Sequence, residues 1–233
     1  MKPALFVIIA VVLVMSIAGC TQLQGTSNQQ QNTPPGTTLT TTSAADDVQH
    51  YYDLQTSLKY TMTSTEVSQN EVSGTKQTTI TEYRDGLDNI RQDRTTATGN
   101  QRIYFVDNVF TSCTQKNSAW TCIKTPDSFS QQMKDMIDQL KEYIPDYTVV
   151  SIDPRTIAGE QTSCFELTGI AKNLTVDRCF TSDGIAAYMK MDWTIINIHT
   201  VRETTATSIV RSVSASDFIP PATPVEIPMP PAR

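Results

Sequence analysis

A succession of short β-strand patterns between Tyr60 and Phe218 restricts the fold of this chain more than any other feature. Threonine, valine, isoleucine and tyrosine, which favour strands, occur there in short runs separated by turn residues. The clearest run, 185–193, has apolar residues at the odd positions, and its even positions include Lys190 and Asp192. This period of two predicts one buried and one solvent-facing side. Together with the turn signals Asp107-Asn108 and Asp183-Gly184, the pattern predicts meandering antiparallel strands.

Two segments are predicted to be helical. Residues 46–59 begin with acidic residues and place apolar residues loosely at helical spacing. Residues 128–143 are predicted to form an amphipathic helix, with a capping box at Ser128 and Gln131 and an end at Pro145. The simplest interpretation of its apolar stripe is packing on the sheet, and its methionines would also offer an adaptable surface to apolar ligands. The stripe consists of Phe129, Met133, Met136, Ile137, Leu140 and Ile144.

The first twenty residues resemble the leader of a prokaryotic lipoprotein. Lys2 precedes an apolar run of fourteen residues, 4–17, which is shorter than the roughly 20 residues that span a bilayer. The sequence 17–20, "IAGC", resembles a lipobox, which implies a signal peptide over 1–19 and acylation of Cys20, for example with palmitate. An uncleaved N-terminal anchor is the alternative. Either interpretation predicts a protein held on the extracytoplasmic face of the cell membrane.

Composition divides the rest of the chain into a linker, one domain and a tail. Residues 20–45 contain the lipidated Cys20 and a Thr, Gln and Ser-rich stretch with too few apolar residues to fold, so they are predicted to be a disordered linker. Residues 46–218 are long enough for one domain with a sizeable core. Residues 219–233 contain six prolines, which exclude helix and central strand, so they are predicted to be a proline-rich tail.

The four cysteines after Cys20 predict two disulfide bonds. An even number of cysteines in an exported chain favours disulfides, and four cysteines allow three pairings. Cys113 and Cys122 are placed symmetrically about the turn "QKNS", and Cys164 and Cys179 are centred beside the "KN" turn. The sequence therefore predicts Cys113–Cys122 and Cys164–Cys179, each across its own hairpin. A zinc site is the alternative, but neither the cysteine spacings nor the positions of the two histidines resemble one.

The chain shows no recognised catalytic motif, and its charge argues against nucleic-acid binding. Its net charge is −6 and no Lys/Arg cluster occurs. His50 and His199 have no sequence context that indicates a triad, so we predict no enzyme activity, no cofactor and no metal. Asn173 begins a sequon at a predicted hairpin tip and is a candidate glycosylation site.

Several stretches give residues 46–218 a texture similar to the LolA/LppX-like lipoprotein superfamily. They are "SLKYTMTSTEV", "RIYFVDNVFTSC", the 128–143 helix, and "IAGEQTSCFEL" followed by "DGIAAYMKMDW". The resemblance implies an α+β fold in which a strongly curved antiparallel sheet, an incomplete barrel, is covered by an N-terminal helix and one inserted amphipathic helix. It also implies an apolar cavity between sheet and helices, which members use to carry lipoproteins or glycolipids or to sense envelope stress.

These observations predict a membrane-anchored lipoprotein that binds an apolar or lipid-like ligand. The partners expected are membrane lipid, through Cys20, and a lipid or acylated ligand. The alternative is a non-catalytic cell-surface structural or adhesion domain in which the same residues form a fully packed core. The predicted ligand-binding residues are Phe129, Met133, Met136, Ile137 and Leu140 of the helix and Ile185, Met189, Met191 and Trp193 of the strand.

Overall fold

The computed structural model describes residues 43–96, 99–125, 148–169, 173–195 and 197–226. These residues contain one α-helix, α1 (Ala44–Leu54), and twelve strands. The strands are β1 (Lys59–Asn70), β2 (Gly74–Asp85), β3 (Asn89–Thr96), β4 (Gly99–Val106), β5 (Val109–Lys116), β6 (Ala119–Lys124), β7 (Thr148–Ile157), β8 (Glu160–Thr168), β9 (Leu174–Thr181), β10 (Ala186–Ile195), β11 (Ile198–Val210) and β12 (Val225–Glu226).

All twelve strands belong to one sheet in the order β12-β6-β5-β4-β3-β2-β1-β11-β10-β9-β8-β7. Every neighbouring pair is antiparallel except β12 and β6, which are parallel. The pairing of β1 with β11 joins two series of consecutive strands. The predicted open, curved antiparallel sheet with an N-terminal helix is confirmed. The predicted inserted helix, 128–143, lies outside the described residues.

Helix α1 covers part of one face of the sheet, which we call the helix-side face. Ser43, three residues before the predicted domain boundary, caps the helix in a capping box with Asp46. The ring of Tyr51 stacks on the ring of Phe180 in β9, with 5.0 Å between their centres. Val48 is buried in the same apolar cluster as Phe165 of β8. The apolar side of α1 therefore packs on β8 and β9.

The predicted hairpins form because their turn residues tolerate positive φ angles. Asp107 and Asn108, with φ angles of 51° and 61°, connect β4 to β5. Asn117 and Ser118, at 50° and 65°, connect β5 to β6. Both residues of a two-residue turn have positive φ in the turn type that matches the twist of hairpin strands.

Both predicted disulfides are confirmed. Cys113 and Cys122 are directly opposite each other in β5 and β6, and Cys164 and Cys179 are opposite each other in β8 and β9. The Cα atoms of each pair are 4.0 Å apart. Cys164 and Cys179 precede Phe165 and Phe180, which face α1, so this disulfide lies on the opposite face of the sheet.

The predicted alternation of the 185–193 run holds for only part of its length. The register of β10 against β9 shifts between Ala186 and Tyr188, and Tyr188 is 4% exposed although it occupies an even position. A bulge adds one residue to a strand, which reverses the sides of the residues beyond it. Ile185 therefore packs in one core cluster, while Met189, Met191 and Trp193 pack in another.

The described part of the proline-rich tail and the two residues before it run beside β3 to β6. The carbonyl oxygen of Asp217 accepts a hydrogen bond from Nη1 of Arg91 in β3, and Ala222 packs against the cluster that contains the Cys113–Cys122 disulfide. The tail then pairs with β6 as the two-residue strand β12, at the edge of the sheet. Edge pairing agrees with the exclusion of a central strand by the prolines.

Candidate ligand site

A cavity of about 70 Å³ opens on the helix-side face between α1 and six strands. Gln55, immediately after α1, contributes to the wall, and every other lining residue comes from β1, β2, β3, β9, β10 or β11. The lining residues are Gln55, Tyr60, Met62, Ser64, Glu66, Ile80, Glu82, Arg84, Gln92, Arg94, Arg178, Ala186, Met189, Arg202 and Thr204. At the roughly 30 Å³ that each molecule takes in liquid water, the volume corresponds to about two water molecules.

The strand register brings polar residues of β1, β2 and β3 to this face. In β1 the buried positions alternate with half-buried ones, and they include Ser64 and Glu66. Ser64 is opposite Ile80 of β2, and Glu82 is opposite Gln92 of β3. Because directly opposite residues share a face, charged side chains of adjacent strands converge beneath the cavity.

Glu82 is the centre of a buried hydrogen-bond network. Its Oε1 atom accepts a 2.6 Å hydrogen bond from the hydroxyl of Tyr60 and a 3.2 Å hydrogen bond from Nε of Arg84. Its Oε2 atom accepts a 3.3 Å hydrogen bond from Nε2 of Gln92. The side chains of Arg84 and Glu82 are only 3% and 10% exposed. The network therefore fixes one ion pair in a largely dry environment.

Glu66 lies between two arginines from different strands. Its Oε1 atom is 3.8 Å from Nη1 of Arg94, and its Oε2 atom is 4.0 Å from Nε of Arg202. These separations are longer than hydrogen bonds, so the pairs interact through charge alone. The single negative charge of Glu66 is therefore shared between the positive charges of two guanidinium groups.

Arg178 reaches the cavity from β9 on the other side. Its Nη1 atom donates a 2.6 Å hydrogen bond to the hydroxyl of Tyr52, and its guanidinium lies 5.2 Å from the centre of that ring. The same guanidinium lies 5.8 Å from the ring centre of Phe180. No ion pair joins Arg178 to a carboxylate of the described residues within 4.0 Å.

The described lining is therefore positively charged, whereas the chain as a whole has a net charge of −6. Four arginines and two glutamates line the cavity, so its formal charge is +2. Three of the arginines also have a buried nitrogen without a hydrogen-bond partner among the described residues. These atoms are Nη1 of Arg84, Nε of Arg178 and Nε of Arg202.

Burial and neighbouring charges change the proton affinities of three lining residues. Burial raises the pKa of Tyr60 well above its usual range, against the lowering effects of Arg84 and Arg178. Burial alone would lower the pKa of Arg84, but electrostatic interactions and hydrogen bonds with Tyr60 and Glu82 raise it above its ordinary value. Burial lowers the pKa of Arg94. Tyr60 is therefore a neutral donor at physiological pH.

The residues of the 185–193 run that are predicted to bind ligand occupy three different settings. Met189 lines the cavity. Met191 and Trp193 continue from it along the helix-side face, Met191 buried and Trp193 half-buried among the residues that pack with α1. Ile185 is fully buried in another cluster. The five predicted residues of the inserted helix, Phe129 to Leu140, and the predicted lipidation site Cys20 lie outside the described residues.

Sequence reasoning did not find the charged residues of the cavity. A signal was present in β1 and β2, because period-two alternation puts Tyr60 and Met62 on the same side as Glu66, and Ile80 on the same side as Arg84. Followed along both strands, this alternation predicts charged side chains on a buried face of the sheet. It would not have indicated which distant strands complete the site, because that depends on the pairing of β1 with β11.

The two histidines are exposed and lie on different elements, His50 on α1 and His199 on β11. Nε2 of His199 is 2.7 Å from Oδ1 of Asp192, and the two side chains are 49% and 39% exposed. His50 is exposed on α1 and lies beside the ring of Tyr51. The described residues contain no group of three or more His, Cys, Asp or Glu side chains suited to a metal ion. Asn173 is exposed, with a φ angle of 64°, immediately before β9.

In the part of the chain that the structure describes, no helix has the length and apolar character needed to cross a bilayer.

The described residues thus form an open, curved antiparallel sheet with a helix on one face and a charged cavity beside it. The chain is similar in fold to solved structures that include a LolA superfamily protein. No family model matches the chain, and no curated protein sequence matches it.

Three solved structures illustrate the similarity. The MucA/MucB complex of Pseudomonas aeruginosa matches with 13% identity and a TM-score of 0.48, over 81% of this chain and 67% of that one. LprF from Mycobacterium bovis matches with 10% identity and a TM-score of 0.47, over 77% and 97%. A LolA superfamily protein from Nitrosomonas europaea matches with 11% identity and a TM-score of 0.37, over 70% and 90%.

The chain spans 60% of the MucB chain in another structure of MucB bound to MucA. At these identities the comparisons concern the fold alone, and the function is argued below from the residues of this chain.

Proposed function

We propose that this protein is a non-catalytic lipoprotein, anchored through Cys20 on the extracytoplasmic face of the cell membrane, that binds a lipid-like ligand on the helix-side face. The lipobox at 17–20 supports the anchor. The row Met189, Met191 and Trp193, which begins in the wall of the cavity and continues along the helix-side face, supports the ligand. This row is the observation that carries the proposal.

The size of the cavity limits what it can enclose. Sites for drug-sized ligands measure about 300–1,000 Å³, whereas this cavity measures about 70 Å³. It can hold a head group but not an acyl chain. In the proposed arrangement the acyl chain lies along the methionine and tryptophan row, and the apolar stripe predicted for residues 128–143 would form the other wall. The small volume also favours the alternative, a structural or adhesion domain with a packed core.

Lipid extraction tests the proposal directly. The full chain is purified in a mild non-ionic detergent, and native mass spectrometry and organic extraction identify any bound lipid. We expect a lipid to remain bound to the wild-type protein. The Met189→Gln/Trp193→Gln double variant should retain much less of it, because the apolar row is interrupted by amide groups that lose hydrogen bonds with water.

A matched control uses the opposite side of the same strand. The Lys190→Gln/Thr194→Gln variant introduces the same side chains at positions that alternate with Met189 and Trp193. It should retain lipid as the wild type does. A wild-type protein without bound lipid that also fails to take up added lipid would instead support the structural or adhesion domain.

A further inference from the structure

We infer that the charged cavity binds the anionic head group of an amphiphile, with Arg84, Arg178 and Arg202 holding a phosphate or carboxylate while the acyl chain follows the Met189 row. The inference rests on the proposed function and adds to it the chemical class of the ligand: an anionic amphiphile rather than a neutral one. Four observations on the described residues carry it.

The first observation is the uncompensated charge of the lining. Glu82 is paired with Arg84, and Glu66 lies between Arg94 and Arg202. Arg178 forms no ion pair with a carboxylate of the described residues, and its guanidinium lies beside the rings of Tyr52 and Phe180. A buried charge without a partner is costly, and the cost is removed when an opposite charge binds beside it. The described lining therefore favours an anion by two formal charges.

The second observation is the unused donor capacity of deeply buried arginines. The residues Arg84 and Arg178 are 2% and 7% exposed, and each has a buried nitrogen without a partner among the described residues. Nε of Arg202 is a third such atom. A guanidinium has five donors in a planar fork, which matches the oxygens of a phosphate or carboxylate.

The third observation is that the three arginines come from different parts of the sheet but line one cavity. Arg84 comes from β2, Arg178 from β9 and Arg202 from β11. Arg84 and Arg178 both act electrostatically on the hydroxyl of Tyr60, so both guanidiniums lie in the neighbourhood of that lining residue. A group bound there can be approached by guanidiniums from two sides.

The fourth observation is the fit between the cavity and a head group. A volume of about 70 Å³ accommodates one phosphate or carboxylate group and excludes an acyl chain. Met189 lies in the wall, and β10 carries Met191 and Trp193 away from it on the same face. At about 3.4 Å per residue, the row from Met189 to Trp193 is about 14 Å long. In this arrangement the head group lies in the cavity, and the acyl chain lies beside it along the row from Met189 to Trp193.

Three probes separate the anionic site from the lipid site. The full chain in non-ionic detergent is titrated by native mass spectrometry with 1-oleoyl lysophosphatidic acid, with monoolein, and with glycerol 3-phosphate. The first two share an acyl chain and differ in the phosphate, and the third has a phosphate without an acyl chain. We expect lysophosphatidic acid to bind at least about tenfold more tightly than monoolein, because only its phosphate makes charge-assisted hydrogen bonds to the arginines. It should also bind at least about tenfold more tightly than glycerol 3-phosphate, because only lysophosphatidic acid buries an acyl chain.

Two variants assign that preference to the cavity. Arg178→Gln should remove most of the preference for lysophosphatidic acid over monoolein without changing the affinity for monoolein. Arg155→Gln is the matched control, because Arg155 is an exposed arginine of β7 that lies over the ring of Tyr188 and does not line the cavity. It removes the same charge from the molecule and should leave the preference unchanged.

Each other outcome has one meaning. Equal binding of lysophosphatidic acid and monoolein, unaffected by Arg178→Gln, overturns the anionic subsite and leaves the proposed lipid binding intact. Equal binding of glycerol 3-phosphate and lysophosphatidic acid, with no binding of monoolein, keeps an anion site and overturns the proposed lipid binding. Binding of none of the three probes overturns both.

Discussion

Nη1 of Arg178 donates a 2.6 Å hydrogen bond to the hydroxyl oxygen of Tyr52, which joins strand β9 to helix α1 at the wall of the cavity. The rings of Tyr52 and Phe180 meet edge to face, with 5.5 Å between their centres, so the helix residue is held by packing as well. The packing of α1 on the sheet therefore sets the position of a guanidinium that lines the cavity.

The close approach of α1 to Gly184 predicts a large loss of stability in Gly184→Ala. A Cβ atom at this position would be 2.7 Å from Cβ of Leu54, and the φ angle of +97° disfavours any other residue. Overpacking of this kind costs about 1–3 kcal/mol in addition to the backbone strain. Urea unfolding of the full chain, followed by Trp fluorescence, measures the change.

Gly159→Ala is the control for this prediction. Gly159 has a similar φ angle of +84°, but a Cβ atom there would have no heavy atom within 4 Å. It should therefore show the backbone cost without the overpacking cost. Equal destabilisation by the two substitutions would contradict the close packing of Gly184 against α1.

The hairpins and disulfides were predictable because the signals for them are local. Asp107-Asn108 and "QKNS" are recognised from adjacent residues, and the cysteines flank their turns symmetrically. Ser43, by contrast, caps α1 before the predicted boundary, because a capping box extends a helix beyond its apolar pattern. No local pattern in the sequence marks the bulge between Ala186 and Tyr188, because its position depends on the pairing of β10 with β9.

The cavity was not predictable because its walls come from strands that are distant in sequence. Arg84 and Arg202 are brought to one site only when β1 pairs with both β2 and β11. Arg178 also depends on where α1 crosses the sheet, as its bond to Tyr52 shows. The sequence predicted an apolar site, and Met189 is the member of that prediction that lines the described cavity.

The network around Glu82 predicts a strong effect of Glu82→Gln on stability. The substitution removes the negative charge that pairs with Arg84 but leaves the guanidinium buried. Removal of one partner of a buried ion pair costs about 3–5 kcal/mol. The double variant Glu82→Gln/Arg84→Met should recover a substantial part of this loss, because the uncompensated charge is gone. A double variant less stable than Glu82→Gln alone would contradict this account.

The two disulfides are expected to contribute unequally to stability. Their cysteines are 9 and 15 residues apart. The loss of chain entropy on cross-linking predicts about 2.5 kcal/mol for the shorter loop and about 3 kcal/mol for the longer one. Urea unfolding of Cys113→Ala/Cys122→Ala and of Cys164→Ala/Cys179→Ala measures both. Peptide mapping that pairs Cys113 with Cys164 or Cys179 in the native protein would contradict the structure.

The ion pairs of Arg211 predict a loss of stability in acid. Hydrogen bonds from Arg211 lower the pKa of Glu160 from its ordinary 4.5 and the pKa of Asp183 from its ordinary 3.8. Carboxyls with lowered folded-state pKa values stabilise the protein above those ordinary values and lose that contribution as the pH falls through the folded-state values. At pH 7, Arg211→Gln should be less stable by about 1 kcal/mol, since the network is partly exposed.

The pH dependence of that difference distinguishes the network from a general charge effect. The difference between the wild type and Arg211→Gln should shrink as the pH falls below about 4.5 and disappear when both carboxyls are protonated. Lys76→Gln, a substitution at an exposed residue of β2, removes one positive charge elsewhere. A similar pH dependence in both variants would refute the assignment to Glu160 and Asp183.

Tyr52→Phe should weaken head-group selectivity more than it weakens the fold. The substitution keeps the aromatic ring but removes the oxygen that accepts the hydrogen bond from Arg178, so the guanidinium loses its fixed position. Ordering that side chain again on binding costs about 0.5–1 kcal/mol, which predicts a two- to fivefold smaller preference for lysophosphatidic acid over monoolein.

Tyr51→Phe is the matched control on the same helix, because the hydroxyl of Tyr51 bonds to Ser163 and does not line the cavity. Each variant should lose about 1 kcal/mol or less of unfolding free energy. Equal losses of selectivity in the two variants would mean that Tyr52 supports the helix without positioning Arg178.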